Sequence, residues 1–261
     1  MSKFFIFLRK EFTENIRTKR FLVLACVYLF FAITAPLLTR FMGEFLGLFI
    51  PAGGDESMEL MVAAFSNANW YESYAQLYGN LGQMGIFAVM FMYMNTIRKE
   101  IATGTASLMF SKGLGYVQFV LAKFTMAAII LFVITIVSSL IAYVYTYVLF
   151  DQAGDIGHVL IGSVIFTAGS LVILAIIMLF SSIAKSSASS VGMTVGVYFI
   201  MIFATLIPNV QRFVPLNLLS FPVAVSIGEY SSELLSNVII GAVIAVLALL
   251  GAVSALKRAE G

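Results

Sequence analysis

Six long apolar stretches constrain this chain more than any other feature of its sequence. They cover residues 21–39, 77–97, 124–150, 159–183, 189–207 and 238–256. An α-helix needs about 20 apolar residues to cross the hydrocarbon core of a bilayer. The chain is therefore predicted to be an all-α integral membrane protein, with six transmembrane helices in one membrane domain over residues 1–261.

The composition leaves little room for a water-soluble alternative. Hydrophobic residues make up 61 % of the chain and charged residues only 11 %, with a mean hydropathy of +1.02. A soluble domain carries about a quarter charged residues. The single cysteine, Cys26, excludes an intramolecular disulfide and a metal site built from cysteines.

The basic residues predict the orientation. With the N-terminus inside and six spans, 13 of the 15 Lys and Arg fall on the inner side, and only Arg40 and Arg212 lie outside. The acidic residues have the opposite bias, with 9 of 13 outside. We therefore expect a multi-pass protein of the cytoplasmic membrane with both termini in the cytoplasm. The basic residues are not gathered on one soluble face, so no nucleic-acid partner is expected.

Residues 1–20 do not span but have a helical period. Phe5, Leu8, Phe12 and Ile16 recur at three- and four-residue steps between basic residues. This pattern predicts an amphipathic helix on the inner leaflet, in contact with membrane lipids. The alternative is a basic segment that only orients the first span.

Two outer segments have their own patterns. In 40–76, a turn is predicted at 51–55, a short helix near 58–65, and then an aromatic cluster at Trp70, Tyr71, Tyr74 and Tyr78. Such residues usually anchor a span at the membrane–water interface, and a substrate-binding role is the alternative. In 208–237, three prolines interrupt apolar residues, which predicts short re-entrant or interfacial helices before the sixth span.

Motifs for catalysis or cofactor binding are missing from the sequence. His158 has no His-Glu-x-x-His context, and neither a Gly-x-Ser-x-Gly elbow nor a Gly-rich phosphate loop occurs. We expect no enzyme activity, no metal and no cofactor bound by this chain. The predicted spans contain almost no ionisable residues, which disfavours an ion-coupled carrier. Small residues such as Gly192 and Gly196 predict close helix contact.

The loop 98–115 carries the most specific pattern. It contains Arg98, Lys99, Glu100, Thr103, Gly104 and Thr105. Gly104 favours a break, followed by a short helix over 105–110 along the membrane surface. Glu100 is expected to pair with Arg98, Lys99 or Lys112. The alternative is an ordinary basic connection that only determines topology.

These residues resemble the permease subunits of type-2 ATP-binding-cassette exporters. Those chains carry a Glu-x-x-x-Gly-Thr element between spans two and three and then a Lys at the start of span three, positions that Glu100, Gly104, Thr105 and Lys123 match. The N-terminal 9–12 stretch, Arg-Lys-Glu-Phe, with Arg17, Lys19 and Arg20, matches the usual opening of the family. The departure is at 113–116, Gly-Leu-Gly-Tyr, where family members often have Pro and Arg.

The resemblance implies a mechanical role. Residues 99–110 would form a coupling helix on a separate ATP-hydrolysing subunit, which binds the ATP and Mg²⁺. The coupling residues would be Arg98, Lys99, Glu100, Thr103, Gly104 and Thr105, and residues 1–20 would be a connecting helix with Arg9, Lys10, Glu11 and Arg17. A second permease copy, identical or related, would complete the exporter. The expected cargo is hydrophobic or amphipathic: a peptide, lipid or drug. The alternatives are an ion-driven carrier, a channel or a membrane scaffold.

Overall fold

The computed structural model describes residues 3–49, 62–63 and 65–260. Their helices are α1 (Lys3–Arg17), α2 (Arg20–Phe49), α3 (Trp70–Asn80), α4 (Ile86–Tyr93), α5 (Arg98–Ala102), α6 (Thr105–Ser111), α7 (Tyr116–Phe150), α8 (Ile156–Ile183), α9 (Ser187–Thr205), α10 (Phe221–Ser226) and α11 (Leu234–Glu260). A π-helical turn, Leu81–Gly85, joins α3 to α4, and two 3₁₀ turns, Gln211–Phe213 and Pro215–Leu219, precede α10. No β-strand occurs in these described parts of the chain.

Five of the helices are long and apolar enough to cross a membrane: α2, α7, α8, α9 and α11. The all-α class and the multi-pass character predicted from the sequence are thus confirmed. The predicted second span, 77–97, differs in form, because its helix begins at Trp70, passes through the π-turn and ends at Tyr93. Tyr198 on α9 donates a hydrogen bond to the carbonyl oxygen of Gly82 in that turn, at 2.7 Å.

Two helices are longer than predicted. α2 continues ten residues past the expected end at Thr39, through Arg40 and Glu44, and α7 begins at Tyr116 rather than near residue 124. At 1.5 Å per residue, α7 is about 52 Å long and exceeds the hydrocarbon thickness. Both helices continue through polar residues. The part of a helix that extends beyond the hydrocarbon core needs no apolar side chains, so the end of an apolar stretch is not the end of the helix. The predicted turn at 51–55 and most of the predicted helix near 58–65 lie outside the described residues.

α8 is the centre of the bundle. In its most apolar window 72 % of the residues are buried, against 22 % in those of α9 and α11. It packs against α7, α9, α10 and α11. Gly162 and Gly169 let the 215–226 segment lie directly on α8, since a Cβ at Gly169 would come within 2.9 Å of Leu218. The short helices predicted before the last span are therefore present and packed.

The predicted role of two outer tyrosines is wrong. Tyr74 and Tyr78 are not interfacial anchors but fully buried core residues. The Tyr74 hydroxyl donates to the carbonyl oxygen of Ala153 at 2.8 Å, and the Tyr78 hydroxyl lies 3.3 Å from Ser139 Oγ. The close helix contact predicted at Gly192 and Gly196 of α9 is not made with the described residues of this chain, because a Cβ at either position would meet none of their atoms within 4 Å.

Candidate functional site: a buried ion-pair cluster

The candidate site lies at the end of the bundle where α1, the α5–α6 segment and the start of α7 meet. α1 packs against this bundle through the stripe Phe7, Glu11 and Asn15, which are all buried. Phe5, Phe12 and Ile16, which belong to the face predicted to contact lipid, are exposed and do not pack on the bundle. A helix that buries a glutamate must find a partner for its carboxylate.

The partner is Lys123, two turns into α7. Its ammonium nitrogen Nζ lies 2.9 Å from Glu11 Oε1 and 3.0 Å from Glu100 Oε1. Exposed fractions are only 3 % for Lys123, 2 % for Glu11 and 6 % for Glu100. The prediction that Glu100 pairs with Arg98, Lys99 or Lys112 is therefore wrong. Lys123 joins the first helix, the predicted coupling loop and a long helix of the bundle.

Lys10 closes the cluster from the solvent side. Its Nζ lies 2.6 Å from Glu100 Oε1, 2.9 Å from Glu11 Oε1 and 2.7 Å from Glu14 Oε2. Burial opposes the charged form of Lys10, but the nearby carboxylates of Glu11, Glu100 and Glu14 outweigh it and raise the pKa of Lys10 well above its ordinary value. Lys10 is thus held in its charged form at every physiological pH.

Glu14 is the most exposed of the three carboxylates in the cluster. Burial would raise its pKa, but the hydrogen bond from Lys10 and the positive charges of Lys123, Lys10 and Arg20 hold the pKa of Glu14 below its ordinary value. The carboxylates of Glu11, Glu14 and Glu100 lie within 4.8 Å of one another, a spacing that would also suit a cation. Here the two lysine ammonium groups already occupy the space between them.

Aromatic rings cover the cluster on the bundle side. The rings of Phe7 and Phe119 stack at 5.4 Å between centroids. Lys123 Nζ lies 5.1 Å from the centroid of the Phe119 ring. These rings exclude water and add cation–π attraction to the ion pairs.

The 98–115 loop is held in shape by its own hydroxyl groups. Gly104 has a φ of 68°, in the left-handed region that favours glycine, and α6 begins directly after it as expected. Thr105 Oγ1 donates to the carbonyl oxygen of Glu100 at 3.2 Å and lies 3.0 Å from Thr103 Oγ1. These hydrogen bonds hold the backbone of the loop at Glu100 and thereby restrict the position of its side chain.

A cleft of about 660 Å³ opens beside the cluster, between α1 and the α5–α6 segment. Six of the predicted site residues line it: Lys10, Arg17, Lys99, Glu100, Thr103 and Thr105. Glu100 Oε2 is buried and has no hydrogen-bond partner among the described residues. The cleft therefore combines exposed cations with a buried carboxylate oxygen that accepts no hydrogen bond from the described residues.

The other predicted site residues lie around this cleft. Arg9 is exposed on α1, Glu11 is buried beneath the cleft, and Arg98 faces a second pocket beside Lys185. Sequence reasoning missed Glu14 and the bridging role of Lys123. The available signal was a lysine seven residues into an apolar helix, which must be neutralised by a carboxylate.

The chain was also compared with known proteins. It matches no protein-family model, and no curated protein is significantly similar to it.

Proposed function

We propose that this chain is the membrane permease subunit of a type-2 ATP-binding-cassette exporter, driven by ATP that a separate subunit hydrolyses. The observation that carries the proposal is the cleft itself. Two short motifs, around residues 9–17 and 98–105, resemble that family, and residues of both line this one cleft. The proposal accounts for their proximity as a docking site for the ATP-hydrolysing subunit.

The chemistry of the cleft supports a docking role. Glu100 Oε2 is a buried acceptor without a partner in the described part of the chain, an arrangement that is unfavourable unless a donor arrives. Lys99 and Arg17 at the rim are exposed. A partner that inserts an arginine or lysine towards Glu100 and places acidic residues at the rim would complement both features.

The connections of the cluster support force transmission. Movement of the α5–α6 segment acts on α7 through the Glu100–Lys123 ion pair. It also acts on α8, because Ser181 Oγ accepts hydrogen bonds from the backbone N–H groups of Ile97 and Arg98, both at 3.1 Å. A displacement of the α5–α6 segment at the cleft would therefore be transmitted to α7 and α8.

The proposal includes the finer topology. The helical run from Trp70 to Tyr93, about 35 Å long at 1.5 Å per residue, would be the sixth span. Both termini would lie in the cytoplasm, with the exposed residues of α1 on the inner leaflet of the cell membrane. A second permease copy would complete the exporter, ATP and Mg²⁺ would bind to the partner subunit, and the cargo would be hydrophobic or amphipathic.

The test is ATP hydrolysis that co-purifies with the full-length chain. Lys99→Glu reverses an exposed charge in the cleft, and Lys112→Glu is the matched control in the same loop outside it. We expect ATPase activity to co-purify with the native chain and the control, and to fall at least about tenfold with Lys99→Glu. The proposal fails if no ATPase activity accompanies the native chain, or if both variants retain it equally.

A further inference from the structure

A second pocket at the same end of the bundle is not explained by the ion-pair cluster. It has a volume of about 370 Å³ and lies between the end of the α4–α5 connection and the turn from α8 to α9. Its polar lining is formed by Asn95, Arg98, Lys99, Thr103, Lys185, Ser186 and Ser187. We call it the basic pocket.

The two walls of the basic pocket are fastened to each other. Ser181 on α8 accepts the backbone N–H groups of Ile97 and Arg98. Ser187, in the first turn of α9, donates its hydroxyl to Asn95 Oδ1. The backbones that carry Arg98 and Lys185 are therefore held together by the fold.

The charge of the pocket is unbalanced. Arg98, Lys99 and Lys185 all line it, and no carboxylate does. None of the three forms an ion pair with a carboxylate of the described chain. The nearest acid in sequence, Glu100, directs Oε1 to Lys10 and Lys123 instead. Three cations kept together repel one another, so an anion is the natural ligand.

The remaining lining suits a phosphate group. The Ser186 hydroxyl oxygen accepts the backbone N–H of Ser189, and its own O–H can donate into the pocket. The hydroxyls of Ser187 and Thr103 also line the pocket but donate to Asn95 Oδ1 and to the carbonyl oxygen of Lys99. Ser186 is also the N-cap of the 19-residue helix α9, whose positive dipole end is directed at this turn. One hydroxyl donor, a guanidinium group and two ammonium groups form a set that recognises phosphate oxygens.

The position of the pocket favours a phosphate carried by a lipid. It lies where α8 ends at Ile183, α9 begins at Ser187 and the helical run of α4 has just ended at Tyr93. Ile183 is 54 % exposed beside the turn, as expected for a residue that faces acyl chains. Phospholipid headgroups lie at the depth where spans end, and basic pockets between helices on the inner side bind anionic headgroups.

We propose that the basic pocket binds the phosphate of an anionic phospholipid headgroup, which ties the α4–α5 connection to the α8–α9 turn. This inference takes from the proposed function only the position of this end of the bundle on the inner side of the membrane, and lipid binding requires no ATP-hydrolysing partner. An acidic peptide of a partner protein is the competing occupant.

The test measures the affinity of the purified full-length chain for phosphatidylglycerol in phosphatidylcholine nanodiscs, without any ATPase subunit. The pocket variant is Arg98→Gln with Lys185→Gln. The control is Lys112→Gln with Lys257→Gln, which removes the same charge outside the pocket. Two basic side chains near the surface are worth about 30-fold in affinity, and we expect this loss for the pocket variant and little loss for the control. Phosphatidylcholine alone should not distinguish the variants.

Three results would overturn the proposal. Equal losses in both variants would show only general attraction to a charged surface. Displacement of phosphatidylglycerol by excess inorganic phosphate would assign the pocket to a soluble phosphate compound. Full lipid affinity in the pocket variant, together with loss of a co-purifying protein, would assign the pocket to a peptide partner. Both variants change exposed or half-buried side chains, and a single symmetric elution peak for each would show that they fold.

Discussion

Lys123→Met should release α1 from the bundle while the rest of the protein stays folded. Lys123 Nζ lies 2.9 Å from Glu11 and 3.0 Å from Glu100, and all three side chains are buried. Methionine preserves the length of the side chain but leaves two buried carboxylates without this ammonium group. Breaking a buried ion pair from one side typically costs about 3–5 kcal/mol.

The lower end of that range applies here. Lys10 still contacts both carboxylates, at 2.9 Å and 2.6 Å, and compensates in part. A loss of about 3 kcal/mol corresponds to about 100-fold faster hydrogen exchange of the α1 amides, if α1 opens as a local unit. Hydrogen exchange of residues 3–17, followed by mass spectrometry in detergent, measures this directly.

Two further variants make the measurement decisive. Lys112→Met removes an exposed lysine of the same region and should leave α1 exchange unchanged. Lys123→Met combined with Glu100→Gln restores the net charge of the cluster and should recover part of the protection. If the α1 amides exchange at the same rate in Lys123→Met as in Lys112→Met, the ion pairs do not hold α1 on the bundle and the reasoning is refuted.

Three other predictions can be checked independently. Although burial would raise it, the pKa of Glu14 is lowered in folded α1 by the hydrogen bond from Lys10 and by the positive charges of Lys123, Lys10 and Arg20. Its contribution to the stability of folded α1 is therefore present above the ordinary pKa of 4.5 and is lost as pH falls through the folded value; hydrogen exchange of α1, corrected for its intrinsic pH dependence, should rise on acidification, and Glu14→Gln should reduce that rise. In a chain without its native cysteine, Asn67→Cys and Lys112→Cys, which flank the helical run from Trp70 to Tyr93, should react with impermeant reagents from opposite sides of the membrane, and labelling of both from the same side would rule out the sixth span. Gly169→Ala should destabilise the protein by about 1–3 kcal/mol, because its Cβ would lie 2.9 Å from Leu218. Gly192→Ala, whose Cβ would meet no described atom within 4 Å, should leave the melting temperature unchanged or raise it slightly in the same thermal assay, because alanine is the better helix former.

Several features of the site were accessible from sequence because they depend on local chemistry. Gly104 predicts a break followed by a short helix, and the structure has a left-handed residue at this position with α6 directly after it. The helical period of residues 1–20 predicts α1. The period also suggested which side of α1 is apolar, yet the side that packs on the bundle contains Glu11 and Asn15. A period identifies a helix but not its neighbours, and here α1 has apolar residues on two sides.

The sequence by itself determined the class of this protein. Its apolar stretches are long enough to cross a bilayer, and in lipid a single-chain segment can satisfy its backbone hydrogen bonds only as a helix. Five long helices follow directly from this rule. The rule acts on each stretch alone, which is why no knowledge of packing was needed.

Tertiary structure alone decided the ion pairs. Glu100 has two basic neighbours in sequence, but Arg98 and Lys99 line the basic pocket while its carboxylate meets lysines 90 and 23 residues away. Tyr78, an apparent interfacial residue, is likewise buried by Ser139 and Ser163 from other helices. Proximity along the chain does not choose a partner, because a rigid helix directs adjacent side chains to different sides and burial favours the pair that best excludes water.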